Sequence, residues 1–200
     1  MKILAFTDMH TSERAFLRIY WKTKLLRPDI LVCCGDLSVF EHGLDTMIRK
    51  IAGLGKEVVL IHGNHEEAGT TEKLCKKYKN FHFIHRKPFI FQDCLFLGYG
   101  GDGFSIIDHS FTAVGKKFAK IINRNPGMKK IFVTHAPPHN TQLDIIVDYH
   151  CGNKSIRNFD VRQNIDFHFC GHLHENFEKK DTIGKTRVIN PGPYGKMVLV

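Results

Sequence analysis

The strongest constraint on the fold is a series of short apolar runs, each ending in glycine or in a polar cluster. Runs of this length that are rich in Val, Ile and Phe are typical of buried β-strands. Five of them read KILAFT, DILVCCG, EVVLIHG, KKIFVTH and DFHFCGH. The chain is therefore expected to contain a sheet built from short buried strands.

Two helical stretches separate the first three runs, at residues 12–26 and 41–54. The second shows apolar residues at helical spacing: Leu44, Met47, Ile48 and Ile51. Strands that alternate with helices indicate βαβ units with mostly parallel strands, which places the chain in the α/β class. Trp21, on the first stretch, is expected in the core.

In the middle and at the end of the chain, strands no longer alternate with long helices. FHFIH, PFIF and CLFLGYG are short strands with no long helix between them, and RVIN and MVLV close the chain. We expect these strands to form antiparallel additions or a second sheet. Residues 136–153 are the longest irregular stretch, and a loop of that size in a compact domain is often functional.

Length and composition favour a single domain spanning residues 1–200. The apolar content of 42% suffices for a core, and no apolar run is long enough for a membrane span. The first residues, MKILAFTDMH, do not have the pattern of a signal peptide. We therefore expect a cytoplasmic protein without membrane contact. The six cysteines have no C-x-x-C spacing and are interpreted as buried, reduced packing residues.

The formal net charge of +9 raises the question of nucleic-acid binding. Lys and Arg are scattered over helical and turn stretches, which favours solvated faces over a binding stripe. A nucleic-acid partner stays an alternative that is not favoured. A net positive field also attracts small anionic substrates.

Polar residues of metal-ligand type follow all five apolar runs. In open α/β sheets, ligands bind beyond the carboxyl ends of the strands. The residues at these positions are Asp8 and His10, Asp36, Asn64 and His65, His135, and His172 and His174. Each motif alone is more often an ordinary loop or turn, but the ordered set indicates one site.

The spacing and chemistry of this set indicate a metal centre. Residues i and i+2 of an extended chain project to one side, so Asp8 with His10, and His172 with His174, can face one volume. Imidazole with carboxylate suits Mn, Fe, Co, Ni or Zn. The candidates exceed the needs of one tetrahedral ion, and two divalent ions that share a carboxylate account for them. Gly35, Gly63 and Gly171 permit close backbone approach.

The ordered series resembles the signature of the calcineurin-like metallophosphoesterase superfamily. It consists of Asp8-x-His10, Gly35-Asp36, Gly63-Asn64-His65-Glu66, His135 and Gly171-His172-x-His174. Small stand-alone prokaryotic members are also similar in His135-Ala-Pro-Pro, in the stretch Gly152 to Arg157 and in Asn190-Pro191-Gly192. The resemblance implies a two-sheet β-sandwich flanked by helices. Leu37-Ser38-Val39 departs from the family pattern without loss of a proposed ligand.

The resemblance also implies a role for each residue. Asp8, His10 and His174 would hold one ion, Asn64, His135 and His172 the other, and Asp36 would bridge them. The implied reaction is in-line attack on phosphorus by a metal-bridging hydroxide. His65 would act on the substrate as the catalytic side chain, and Glu66 would orient a ligand histidine. Manganese is the preferred metal, with iron, nickel, cobalt or zinc as alternatives.

Further residues have a weaker claim to the site. His139 and His150 lie in or beside the long loop and are candidates for substrate binding. The stretch GGDGF at residues 100–104 would either line the cleft or form a hairpin turn.

The favoured function is hydrolysis of phosphoesters, with phosphodiesters or nucleotides ahead of phosphoproteins because the chain is too short for large recognition insertions. One alternative is a nuclease that acts on DNA or RNA. Another is a non-catalytic interaction module on the same fold, which lacks the catalytic histidine that this chain has as His65. The oligomeric state stays open.

Overall fold

The computed structural model describes residues 1–101 and 103–200, which form two main sheets flanked by helices. The helices are α1 (Glu13–Leu26), α2 (Leu44–Ala52), α3 (Ala68–Cys75), α4 (His109–Arg124) and α5 (Lys154–Gln163). The strands are β1 (Lys2–Phe6), β2 (Ile30–Cys33), β3 (Glu57–Leu60), β4 (Phe81–Phe83), β5 (Pro88–Phe91), β6 (Cys94–Tyr99), β7 (Lys129–Thr134), β8 (Ile145–Ile146), β9 (Tyr149–His150), β10 (Phe167–Phe169), β11 (Lys180–Ile183), β12 (Thr186–Ile189) and β13 (Lys196–Leu199).

The first sheet has the order β13-β1-β2-β3-β4. Strands β1 to β4 run parallel, as the βαβ rhythm predicts, and β13 is antiparallel at the edge. The expectation for FHFIH was wrong, because β4 joins the first sheet as a parallel strand. Helix α3, which the sequence reading missed, supplies the crossover between β3 and β4.

The second sheet has the order β11-β12-β10-β7-β6-β5. Its four inner strands are parallel, and only β5 and β11 are antiparallel. A second sheet was expected, but its parallel interior was not, because helices α4 and α5 were not recognised. Both begin at readable capping residues: Asp108 accepts a hydrogen bond from the amide of Phe111, and Asn153 from that of Ile156.

Three main clusters of buried residues form the core: one lies between the two sheets, and each of the other two lies between a sheet and its helices. Alternate residues of β1 face opposite sides: Ile3 and Ala5 pack into the cluster between the sheets, whereas Leu4 and Phe6 pack under α1 and α2. A third cluster lies between the second sheet and α4 and α5, around Phe118. The arrangement is α/β/β/α, and the predicted fold class is confirmed.

Two smaller expectations have different outcomes. The cysteines are free thiols, and five of the six are buried. Trp21 was expected in the core, but it lies on the exposed face of α1 with 57% of its surface accessible, so that expectation was wrong. Across the residues described here, none of the helices combines the length and apolar composition needed to cross a bilayer.

Candidate active site

The loops that follow β1, β2, β3, β7 and β10 meet at one edge of the sandwich. Contacts between side chains of distant segments show the convergence. The backbone amide of His172 lies 3.0 Å from Asp8 Oδ2, and Nε2 of His135 lies 3.3 Å from Asp36 Oδ2. All seven predicted metal ligands belong to this edge. The structure therefore brings together residues that are up to 166 positions apart in the chain, from Asp8 to His174.

Glycines allow these loops to approach so closely. A Cβ atom on Gly63 would overlap the carboxylate of Asp36, and one on Gly171 would overlap Thr7 and crowd Asp8. Any side chain at either position would push an acidic residue out of place. A Cβ atom on Gly35 would likewise overlap the backbone of Gly63, so the sequence-based expectation of close approach is confirmed at all three positions.

Asp8, His10 and His174 form the first group of side chains that could hold a metal ion. The Nε2 atoms of His10 and His174 lie 3.2 Å apart, and Asp8 Oδ1 lies 3.5 Å from Nε2 of His174. Nδ1 of His10 lies 3.0 Å from the carbonyl oxygen of Ser38. Because a carbonyl oxygen can only accept a hydrogen bond, Nδ1 has to be the donor. This contact places the proton on Nδ1 and leaves the lone pair of Nε2 directed toward the group.

Asp36, Asn64, His135 and His172 form the second group. Nε2 of His135 lies 2.9 Å from Oδ1 of Asn64, and Nδ1 of His172 lies 2.8 Å from the same oxygen. Nδ1 of the buried His135 donates to the carbonyl oxygen of Cys34 at 2.9 Å. Nε2 of His135 therefore faces two oxygen acceptors, Oδ1 of Asn64 and Oδ2 of Asp36. A proton or a cation has to lie between this nitrogen and those oxygens.

The electrostatics of this second group match a cation site. Burial alone would raise the pKa of Asp36, but hydrogen bonds and charge from His135 and His65 lower it to about 2. Burial opposes the charged form of His135, yet Asp36 raises the pKa of that ring to about 9. Burial and the positive charge of His135 lower the pKa of His172 to about 4. A buried carboxylate thus stays charged and requires a positive partner.

The donor set fits divalent ions of the borderline type. Imidazole nitrogens, carboxylates and an amide oxygen converge, with two tautomers fixed by backbone carbonyls. Nδ1 is the nitrogen of His172 that faces the group, 2.8 Å from Asn64 Oδ1, whereas its Nε2 lies against Gly103. The residues present therefore suit divalent metal ions.

His65 lies beside His10 and Asp36, and with them it forms a further group of side chains that could hold a metal ion. Its Nε2 lies 4.0 Å from Asp36 Oδ2, and its ring packs edge-on against that of His10 with centroids 4.8 Å apart. The backbone amide of His65 donates to Asp36 Oδ1 at 3.0 Å, which fixes the start of the side chain. The half-buried ring lines the cleft that leads to the two groups.

The hydrogen bonds of Glu66 go to backbone amides and to one hydroxyl, and none of those described reaches a histidine ring. Its buried carboxylate accepts from the amides of Asp36, Ser38 and Gly63 and from the hydroxyl of Ser38, at 2.8 to 3.0 Å. Glu66 thus contacts the backbone of the predicted ligand Asp36 directly, and it reaches the predicted ligand histidine His10 through Ser38, whose carbonyl accepts the proton of His10. Its role in orienting a ligand stays a prediction.

His139 and His150 both face Asp144. Nδ1 of His150 lies 2.7 Å from Asp144 Oδ1, and Nδ1 of His139 lies 3.4 Å from Asp144 Oδ2. Asp144 is fully buried and also accepts from the amides of Asn140, Thr141 and Gly152. The structure does not bring these two histidines among the residues that line the cleft, and their substrate-binding role stays a prediction.

The cleft above the two groups has a volume of about 300 Å³. It is lined by Asp36, Asn64, His65, Phe104, Ile146, His172, Leu173, His174 and Glu175. Within the stretch at residues 100–104, Asp102 lies outside the described residues, while Phe104 lines the cleft. Sequence reasoning missed Phe40, whose ring packs on His65 with centroids 4.5 Å apart. An apolar aromatic residue four positions after Asp36, in a polar loop, is the signal that could have revealed it.

Comparison with known sequences defines the class of protein. The sequence model of the family described as calcineurin-like phosphoesterase matches residues 1–176, which include every predicted metal ligand. The chain belongs to the calcineurin-like phosphoesterase family. An uncharacterized protein of Methanocaldococcus jannaschii is 35% identical over 202 residues, which cover 96% of this chain and 88% of that protein.

Solved structures share the fold at much lower identity. A crystal structure of a Thermus thermophilus protein superimposes with a TM-score of 0.79 at 13% identity and covers 96% of this chain and 89% of its own. A dimetal phosphatase from Danio rerio gives a TM-score of 0.69 at 10% identity, with 94% and 86% covered. These likenesses support the α/β/β/α architecture.

Proposed function

We propose that this protein is a phosphoesterase that depends on two divalent metal ions and favours phosphodiesters or nucleotides. One observation carries the proposal: Asp36 Oδ2 lies 3.9 Å from Nε2 of His10 and 3.3 Å from Nε2 of His135. A single buried carboxylate oxygen thus faces a histidine of each group. This is the position from which one residue can bridge two ions.

The other side chains divide between the two ions. Asp8, His10 and His174 hold one, and Asn64, His135 and His172 hold the other. When bound, two divalent ions polarise phosphoryl oxygens and lower the pKa of a water molecule, which is the chemistry that phosphoester hydrolysis requires. Manganese is the preferred ion, and the donor set also accepts iron, cobalt, nickel or zinc.

His65 acts on the substrate. Its ring lines the cleft, and the amide hydrogen bond to Asp36 holds its backbone beside the proposed bridging carboxylate. From there the imidazole can donate a proton to the leaving oxygen or a hydrogen bond to the charge that develops on phosphorus. The interaction-module alternative gives no reason for an imidazole at this position.

The charge of the cleft favours a diester over a monoester. Among the described residues that line it, none is a Lys or Arg, and Glu175 adds a carboxylate. A phosphomonoester dianion carries one more negative charge than a diester, and apart from the proposed metal ions the described lining of the cleft has no cationic side chain to meet that charge. A small phosphodiester, which is a monoanion, is therefore the better match to the side chains of the cleft.

The test is hydrolysis of bis(p-nitrophenyl) phosphate and p-nitrophenyl phosphate by protein that has been stripped of metal and reloaded with Mn, Ni or Zn. We expect metal-dependent turnover with the diester as the better substrate, and loss of turnover and of bound metal in Asp36→Ala. Two bound ions per chain without turnover of either substrate would argue for a binding module instead. Turnover in metal-free protein would contradict the two-metal proposal.

A further inference from the structure

Two phenylalanine rings stand exposed beside the cleft, each against a histidine of the site. Phe40 is 70% exposed and its ring lies 4.5 Å from that of His65, centroid to centroid. Phe104 is 73% exposed and lies edge-on to His172 at 4.4 Å. Exposed apolar surface that borders a cleft is a candidate for ligand contact.

The backbone that carries Phe40 adopts an unfavourable conformation. Phe40 and Glu41 have φ values of 48° and 66°, and the amide of His42 donates to the carbonyl of Val39 at 3.0 Å. Positive φ at both central positions of a tight turn is the pattern of type I′, which strongly prefers Asn-Gly. A phenylalanine here is therefore strained, and strain of this kind concentrates at functional sites.

Hydrogen bonds tie this turn to the segment that carries His65. The amide of Glu41 donates to the carbonyl of His65, and the amide of Glu67 donates to Glu41 Oε1, both at 3.0 Å. Phe40 is thus held in a fixed position relative to His65, although most of its ring surface contacts solvent.

The loop that carries Phe104 is also anchored. Asn153 Nδ2 donates to the carbonyl of Ser105 at 2.7 Å, and the amide of Lys154 donates to the carbonyl of Ile106 at 2.8 Å. Gly103 lies directly on the ring of His172, where a Cβ atom would overlap it. These contacts fix the loop to the start of α5 and bring Phe104 to the wall of the cleft.

We propose that Phe40 and Phe104 are specificity-determining residues that bind the planar base of a nucleotide substrate. The inference rests on the proposed function and narrows its substrate class. The phosphate site needs an anionic group, and the two exposed rings beside it offer flat apolar faces. A nucleotide joins a phosphate and a planar ring over a short distance, and base stacking on aromatic side chains tolerates every base. A sugar phosphate offers the anion without the ring.

The test compares the binding of adenosine 5′-monophosphate and ribose 5-phosphate to metal-loaded protein by calorimetry. The two ligands have the same phosphate and sugar and differ in the base. We expect the wild type to bind the nucleotide about 5- to 100-fold more tightly. Phe40→Ala and Phe104→Ala should each reduce that ratio several-fold. Trp21→Ala, which removes another exposed aromatic ring, from α1, should leave both affinities unchanged.

A second variant separates binding from stability. Phe40→Asn places a favoured residue in the strained turn, so the midpoint of thermal unfolding should stay the same or rise while the preference for the nucleotide falls. A lower midpoint would assign Phe40 a structural role and overturn its part in the proposal.

The remaining outcomes distinguish this inference from the proposed function. Equal affinity of the wild type for the two ligands, or an equal loss of both in the Phe variants, would overturn the base-binding role. If the metal-loaded protein hydrolyses bis(p-nitrophenyl) phosphate but prefers ribose 5-phosphate, the phosphoesterase proposal survives and the nucleotide inference fails. Absence of metal-dependent turnover together with absence of binding would remove both.

Discussion

At the scale of single residues, His65 is the side chain whose role separates catalysis from metal binding. It lines the cleft and lies 4.0 Å from Asp36, but the ligand groups are complete without it under our assignment. We predict that His65→Ala retains two metal ions per chain and loses at least about 100-fold in diester turnover, the usual contribution of a positioned acid or base. Metal analysis and steady-state kinetics on the same preparation measure both quantities.

The matched control is His109→Ala, which removes an exposed histidine at the start of α4. That variant should have wild-type metal content and turnover. If His65→Ala turned over as fast as the wild type, the assigned role would be refuted.

Glu66 has the structural position of a buried acceptor for four donors. Glu66→Gln would turn an amide NH₂ toward N–H groups that need an acceptor. We predict a loss of about 1 to 3 kcal/mol in the free energy of unfolding, the cost of leaving a buried donor unsatisfied. Urea unfolding measures it, with the exposed Glu178→Gln as control. An unchanged stability would show that the loops around Asp36 and Gly63 do not depend on this carboxylate.

The residue types of the candidate site could be predicted from sequence because each follows an apolar run that ends at the same edge of a sheet. The partners of Glu66 could not, because they are backbone amides that a motif does not record. The same holds for His139 and His150: their contact with Asp144 depends on how the loop between Pro138 and Asn153 closes.

At the scale of elements, the loop at residues 136–153 is organised by one buried carboxylate. Asp144 accepts from three backbone amides and from His150. We predict that Asp144→Ala increases amide hydrogen exchange in residues 139–152 and leaves the exchange of β1 to β3 unchanged, because the hydrogen bonds it removes are local to the loop. Exchange measured by mass spectrometry checks the prediction.

The exposed Asp148→Ala lies in the same loop and serves as the control. Equal exchange in Asp144→Ala and wild type would mean that the loop is held by its β8–β9 pairing and side-chain packing instead.

A regular apolar period made α2 predictable, and α4, whose buried Phe111, Phe118 and Ile122 also recur at helical spacing, could have been predicted from the same signal. The spacing of Leu44, Met47, Ile48 and Ile51 matches α2, where all four are buried. Helix α5 has few apolar residues, so its period is weak, although Asn153 caps it. Without α3, α4 and α5, the parallel arrangement of β4 and of the inner strands of the second sheet could not be inferred.

At the scale of the whole molecule, the candidate site joins both sheets. Asp8, Asp36 and Asn64 follow strands of the first sheet, whereas His135, His172 and His174 follow strands of the second. The family signature specifies which residue types form the site. The packing of the two sheets against each other, at the face of β1 that carries Ile3 and Ala5, brings those residues into one volume. Ions bound there would hold the two halves of the sandwich together.

Metal binding should therefore stabilise the entire fold and not one loop. A ligand that binds only the native state adds about 2.7 kcal/mol at a free concentration of 100 times its dissociation constant. For a chain of this length, a gain of that size raises the unfolding midpoint by about 5 to 11 °C. Calorimetric scans of metal-free protein with and without added Mn measure the shift, and Asp36→Ala should abolish most of it because both groups lose their shared carboxylate. A shift that persists undiminished in Asp36→Ala would place the stabilising ion elsewhere on the protein and contradict the bridging assignment.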